Sequence, residues 1–328
     1  MTLEEQSATL PKHKVFSGAI GETMRRGSVL IAFIALCIVF SLLSPRFLTV
    51  SNWLNVLLQT ATIGIVAIGQ TFVIITAGID LSVGSVVALS GMVAAVSMRA
   101  GAPAPIGILV ALGVGSLVGL FNGFSVTYLK MTPFIVTLAT LAMGRGLTLA
   151  VSSGQTIFGF PDAFNFIGGE SIAGIPVPVI ILLLAFLAAY FILARTVFGH
   201  GVYSVGGNRE AARLAGIPTV RVELLVYVIS GLLAGLAGII LMGRLDAALP
   251  TSATGLELNA IAAVVIGGAS LFGGKGTMLG TLLGALTIGV LANGLNLLNV
   301  SPFWTQFIQG AVIFVAVLSD SLSQRTAE

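Results

Sequence analysis

The sequence predicts an all-α polytopic membrane protein, and three observations carry that prediction. Of 328 residues, 56% are hydrophobic and only 8% are charged, where a soluble domain uses about 25% charged residues to cover its water-facing surface. Ten mainly apolar stretches follow one another along the chain, each near the roughly 20 residues that a helix needs to cross about 30 Å of hydrocarbon. The basic residues, finally, collect in alternate connections between those stretches. The 41 glycines and 11 prolines do not indicate disorder, because the remainder is dominated by Leu, Ile, Val and Ala. In lipid the backbone must satisfy its own polar groups, so glycine-rich stretches stay helical.

In order, the expected spans cover about 28–44, 54–76, 83–99, 105–127, 133–151, 175–194, 222–243, 256–271, 276–296 and 303–319. The first is expected to remain as a span, since SLLSPRF offers no small-x-small cleavage site and further spans follow. Residues 1–27 and 321–328 are short tails, and 28–320 form a single transmembrane domain. With the N-terminus inside, the cytoplasmic connections hold Lys12, Lys14, Arg25, Arg26, Lys130, Arg195, Arg209, Arg213, Arg221, Lys275 and Arg325. Outside lie Arg46, Arg99 and Arg244, and Arg145 falls within a span. Cytoplasmic loops are enriched in Lys and Arg, so this split predicts an N-in, C-in topology.

Composition also excludes functions. The single cysteine, Cys37, rules out an internal disulfide or a multi-cysteine metal site. His13 and His200 are the only histidines, so neither a metal centre nor histidine-based catalysis is expected. No Ser/His/Asp, HExxH or paired-Asp constellation is present, and no residue is expected to be catalytic. The bases do not cluster with aromatics on a soluble face, which argues against nucleic-acid binding.

Two connections are long. Residues 152–174 form an external segment with Asp162 and Glu170, and 195–221 form the longest cytoplasmic segment. Within the latter, GGNREAARLAGIP reads as one punctuated helix over 209–215. Asn208 is a favoured N-cap, and Glu210 sits where the helix dipole favours an anion. Gly216 stands at the left-handed stop, and Pro218 blocks continuation. Glu210 and Arg213 are spaced i,i+3. Such a helix is marginal alone. It is either an amphipathic loop on the inner membrane surface or a helix that docks on a cytoplasmic partner.

Here the sequence resembles the permease subunits of ABC importers. Glu210-Ala211-Ala212 followed by Gly216 looks like their EAA-x-x-x-G loop, and GGN-x-EAARLAGI is similar to the monosaccharide (ribose, xylose, galactose) branch. The resemblance implies that Asn208, Glu210, Ala211, Ala212, Arg213 and Gly216 couple to a cytoplasmic ABC ATPase. It further implies a homodimer, an external sugar-binding protein, and ATP with Mg on the partner chain rather than any cofactor here.

Between the second and third spans runs ITAGIDLSVGSVVALSG, residues 75–91, whose AGIDLSVGS is another hallmark of that branch. Asp80 lies between apolar runs with no basic neighbour, and a charge at membrane depth is a functional candidate by default. Equally, Asp80 or Ser82 can simply cap the next helix. Residues 266–295 are again in the style of the family, with Gly276, Gly280 and Gly284 at four-residue spacing. Gly115, Gly119 and Gly123 repeat that spacing, and both runs suit close helix packing. GGKGT is not a Walker A motif, because Ala269 stands where the first glycine belongs. Gly78, Leu81 and Gly84 share a frame with Gly268, Leu271 and Gly274, but both turns fall on one membrane side, so an inverted repeat does not relate them.

The neutral polar residues within spans are Gln59, Gln70, Asn122, Thr137, Asn259, Asn293, Asn296 and Gln309. They suit a polyhydroxylated solute better than an ion, although each can equally join two helices. Asp80, Ser82, Asn122, Asn293 and Asn296 are the expected pathway residues. Arg145 and Glu257 are expected to snorkel to the interface. A proton- or sodium-coupled secondary transporter is the alternative, with Asp80 and Glu257 as its available carboxylates.

Overall fold

The structure is a computed structural model that describes residues 29–325, with side chains to residue 318. The expected N-terminal tail, with Lys12, Lys14, Arg25 and Arg26, lies outside the described residues, as do residues 326–328. Six helices are long and apolar enough to cross a membrane: α2 (Val50–Ile75), α4 (Ala104–Thr127), α5 (Pro133–Ser152), α7 (Val177–Arg195), α10 (Thr219–Leu245) and α12 (Met278–Leu297). Four shorter apolar helices accompany them: α1 (Val29–Leu43), α3 (Val83–Arg99), α11 (Leu256–Ile266) and α13, which is apolar over Pro302–Leu318 and extends to Arg325. The connections add α6 (Asp162–Gly169), α8 (Val197–Gly207) and α9 (Arg209–Leu214).

At the centre stand α2 and α10, antiparallel and buried along most of their length. A Cβ on Gly69 of α2 would lie 2.9 Å from Ser230 Cα of α10, so the absent side chain lets the two backbones touch. The anticipated glycine seam of α4 lies on α10. Ala111, Gly115, Gly119 and Gly123 meet Gly235, Gly231, Tyr227 and Leu224 in that order, which runs α4 antiparallel to α10. Equivalent contacts join α12 to α2: Thr281 to Thr71, Gly289 to Thr60 and Asn293 to Asn52.

The short helices explain this pairing. At about 1.5 Å per residue, the 11 residues of α11 reach roughly half of a 30 Å hydrocarbon layer. After α2, residues 76–82 turn back, and α3 starts against the middle of α10, where Asp80 meets Ser230. After α10, residues 246–255 turn back, and α11 starts beside the middle of α2, where Ala253 and Leu256 share a cavity wall with Thr62 and Ile63. The block α2–α5 therefore repeats as α10–α13 with its chain direction reversed. The repeat pairs the break 76–82 with 246–255, not with the turn 267–277 whose glycine frame matches it in sequence. The expected span over 256–271 ends early because Gly267 and Gly268 break it, the latter at φ +89°.

The glycines at 276, 280 and 284 divide. Gly280 and Gly284 let α12 touch the carbonyls of Gly267 and Ala263, while Gly276 belongs to the turn before the helix. Residues 152–174 are more ordered than expected for a loop. Phe164 of α6 is buried, Gly168 packs on Gly243, and β1 (Ile157–Phe158) pairs with β2 (Ala247–Ala248). Apolar side chains such as Leu42, Leu117, Leu184, Phe191 and Phe314 are exposed around the perimeter, where a bilayer would cover them.

Candidate translocation and coupling sites

The first break ends α2 at Thr76, and Ala77 takes a left-handed φ of +61° to reverse the chain. Gly78 must be small, since its Cβ would lie 2.7 Å from Tyr227 Oη. Asp80 then enters the core, 1% exposed. Its Oδ1 accepts the Ser82 amide at 3.0 Å and the Ser82 hydroxyl at 2.6 Å, and its Oδ2 accepts Ser230 Oγ at 2.9 Å. Asn122 Nδ2 donates to Ser82 Oγ at 2.9 Å, and Thr140 Oγ1 donates to Asn122 Oδ1 at 2.7 Å. Gln70 Nε2 donates to the Asp80 carbonyl. Five elements, namely α2, the break, α4, α5 and α10, thus meet in one buried hydrogen-bond network. Ser82 occupies the N-cap position of α3 but makes no side-chain cap bond. Its hydroxyl serves Asp80 instead, and the carboxylate closes the turn rather than the helix.

Asp80, Ser82 and Asn122 are therefore brought together, while the other expected pathway residues lie elsewhere. Asn293 forms a reciprocal amide pair with Asn52, at 2.9 and 3.0 Å, and joins α12 to α2. Asn296 is exposed near the end of α12. Arg145 is half-buried and turned toward the second break. It donates to the Ser252 carbonyl at 2.5 Å and so holds the second break from α5. Glu257 is likewise internal: its Oε1 accepts the Gly255 amide at 3.2 Å, and Gly84 leaves room for its carboxylate, so the starts of α3 and α11 touch.

A cavity of about 530 Å³ opens beside this junction, bounded by α2, α10, α11, α12 and α13. Its wall includes Asn55, Gln59, Thr62, Arg244, Asn259 and Gln309. Three of these, Gln59, Asn259 and Gln309, are among the neutral polar residues noted in the sequence. Thr62 and Arg244 gave no signal there, because only the fold brings them to one wall.

At the opposite end of α2, α8 packs against α2, α7 and α10, and α9 is turned outward. Thr196 Oγ1 caps α8 through the Gly199 amide at 3.2 Å. Asn208 Oδ1 caps α9 through the Ala211 amide at 2.9 Å, and Gly216 closes it at φ +82° while Ile217 N–H reaches back to Ala212 O at 3.0 Å. Ala212 is the buried face, and Glu210, Ala211, Arg213 and Leu214 face outward. Arg213 grips Glu210 in a two-point pair at 2.5 and 3.0 Å, which holds the Glu210 carboxyl below the ordinary carboxylate range. Arg209, 14 positions before Glu223, clasps it at 2.6 and 3.0 Å and ties α9 to the start of α10. That pair had no local sequence signature.

Beneath α9, three turns converge. Gly274 N–H donates to the Ile75 carbonyl at 2.8 Å, and a Cβ on Gly206 would overlap that carbonyl and lie 2.6 Å from Gly274 N. Tyr203 Oη donates to the Gly276 carbonyl at 2.7 Å. The end of α8 therefore rests on the close of α2 and on the turn that joins α11 to α12.

Residues 52–317 match the family described as branched-chain amino acid transport system / permease component. The chain belongs to this permease family. The permease is 45% identical to the ribose import permease protein RbsC of Bacillus subtilis, over 96% of this chain and 98% of that one. It is 41% identical to the D-allose transport system permease protein AlsC of Escherichia coli, over 87% and 88% of the two chains. It is 38% identical to the L-arabinose ABC transporter permease protein AraH of Azospirillum brasilense, over 92% and 89%. No solved structure matches the chain. Membership and the apolar helices together make this permease a multi-pass membrane transport subunit.

Proposed function

We propose that this permease is the membrane subunit of an ATP-driven importer that carries a monosaccharide or similar polyhydroxylated solute into a bacterial cell. It works as a homodimer in the cytoplasmic membrane, with an ABC ATPase below and a sugar-binding protein outside. ATP and Mg reside on the ATPase. The observation that carries the reading is α9, a helix of two turns capped at both ends that offers Glu210, Arg213 and Leu214 outward. The near full-length likeness to permeases named for ribose, allose and arabinose supports a sugar. So does the cavity wall, where the amides of Gln59, Asn259 and Gln309 can each donate to and accept from a sugar hydroxyl.

The topology is N-in and C-in. Lys130, Arg195, Arg209, Arg213, Arg221 and Lys275 belong to connections and helix ends on the side of α8 and α9, which supports a cytoplasmic placement for that end. An ATPase that binds α9 differently in its ATP-bound and ATP-free states biases the permease between two forms, and that difference supplies the work. Movement of α9 would reach the turns at 75–78 and 267–277 through Gly206 and Tyr203.

The test is uptake of radiolabelled ribose, allose and arabinose in cells with and without the partner ATPase and binding-protein genes. Uptake that needs all three components and survives collapse of the proton gradient supports the reading; gradient-dependent uptake by this chain alone overturns it. Glu210→Lys and Gly216→Trp are expected to abolish uptake with normal expression. No atom lies within 4 Å of a Gly216 Cβ, but its φ of +82° strains any other residue there, so Glu210→Lys is the variant that separates loss of the partner contact from damage to the fold. Normal uptake and ATPase stimulation in both variants would remove the coupling role from α9.

A further inference from the structure

The cavity beside the second break is not accounted for by helix packing. It lies where residues 246–255 re-enter the bundle against the middle of α2, and its wall carries Asn55 and Arg244 at the end of the bundle remote from α8 and α9. At about 530 Å³ it falls within the roughly 300–1,000 Å³ of small-molecule sites. Polar side chains inside a membrane protein normally bond one another, as Asn52 and Asn293 do. Eight described residues have a buried polar atom that departs from that rule, and of these Thr62 alone borders the cavity. It is 4% exposed, borders the cavity, and its Oγ1 has no hydrogen-bond partner among the described residues. A buried hydroxyl without a partner costs about 1–3 kcal/mol, a cost that a hydroxylated ligand would offset.

We propose that this cavity is the membrane site for the transported solute, built for neutral hydroxyls and closed to ammonium groups by Arg244. The proposal rests on the sugar-importer reading and deepens it. The amides of Gln59, Asn259 and Gln309 each offer a donor and an acceptor, and a sugar hydroxyl is also both. The Thr62 hydroxyl, closed to solvent in this structure, becomes a fourth such group when its side chain rotates toward a ligand. Arg244 donates only and carries a positive charge, and the wall contains no carboxylate to neutralise an ammonium. An amino sugar of the same shape would bring a second positive charge beside Arg244, and the two would repel. Asp80, Ser82 and Asn122 lie outside this wall, with their hydrogen bonds directed at one another.

The test uses the complete importer in proteoliposomes with ATP on the ATPase side. Wild-type uptake of D-ribose, D-allose and L-arabinose first identifies a transported sugar. A reporter cysteine is then placed at Ala292→Cys in a Cys37→Ser background. Ala292 lines the cavity but offers no polar side chain, so the reporter removes none of the proposed contacts. Its alkylation by a membrane-impermeant thiol reagent is followed with and without that sugar. The transported sugar is expected to slow alkylation, and its 2-amino analogue to leave the rate unchanged. Thr62→Val, which keeps the shape and loses the hydroxyl, should raise the half-protecting sugar concentration about threefold to tenfold, the worth of one hydrogen bond. With Arg244→Gln, the amino analogue should protect. An alkylation rate unchanged by a sugar that the wild-type importer carries would overturn the site and leave the importer reading standing. Failure of the complete wild-type importer to carry any of the three sugars would overturn that reading and the site with it. Equal protection by both analogues in the wild type would overturn the role of Arg244.

Discussion

Asp80 Oδ2 accepts a hydrogen bond from Ser230 Oγ at 2.9 Å, across 150 positions of sequence. This contact fixes where the first break re-enters the bundle, because it anchors the start of α3 to the middle of α10. The carboxylate is also held by the Ser82 amide and hydroxyl, so its removal leaves buried donors without an acceptor. Asp80→Ala should cost about 2–4 kcal/mol, and Asp80→Asn should cost less because one oxygen remains. Thermal unfolding of the purified permease in detergent would show this as two graded losses. Equal melting of the wild type and Asp80→Ala would contradict it.

The contact of α4 with α10 depends on missing side chains. Gly115 and Gly231 each sit against the other's carbonyl, whereas Gly113 meets nothing within 4 Å. Gly231→Ala should destabilise the permease by about 1–3 kcal/mol through overpacking. Gly113→Ala, on the open face of α4, should leave the melting temperature unchanged or slightly raised. Similar behaviour of the two variants would mean that the backbones are farther apart than described.

Asn52 and Asn293 behave as one unit in this structure. Asn293→Leu strands a buried amide and should cost about 1–3 kcal/mol. In a double-mutant cycle with Asn52→Leu, the combined loss should fall short of the sum by about 0.5–3 kcal/mol, as for residues in direct contact. Additive losses would show that the pair is not formed.

Asp246 gives the segment 152–174 a pH dependence. The Phe160 amide and the Asn165 side chain, at 3.0 and 2.9 Å, hold its carboxyl below the usual carboxylate range. A depressed pKa means that the tie is complete above the ordinary value of 3.8 and is lost as pH falls through the lowered value. Cleavage by an acid protease between residues 153 and 166 should therefore rise only on strong acidification, and Asp246→Ala should raise it at all pH values. A cleavage rate insensitive to Asp246→Ala would refute the tie.

Features set by local chemistry were legible in the sequence. Asn208, Gly216 and Pro218 delimited α9 because caps and stops act within one turn, and the span expected over 133–151 appears as Pro133–Ser152. By contrast, α8 carries Gly199, Gly201, Gly206 and Gly207, which weaken helix propensity. Its helix is stabilised by packing: Val202 and Val205 are buried in the core, and Gly206 needs its missing side chain to reach Ile75. The internal repeat was hidden because its two breaks, 76–82 and 246–255, differ in length and share no residue pattern. Thr62 looked like one apolar-helix threonine among several until α11 brought Asn259 to the same wall.

The most direct test of the account is sugar uptake by proteoliposomes that contain only the permease, its ATPase and the loaded binding protein, with ATP supplied and no ion gradient imposed. The account predicts ATP-dependent uptake that is lost in Glu210→Lys while the binding protein still docks. Uptake that proceeds without ATP, or that Glu210→Lys leaves intact, would contradict it.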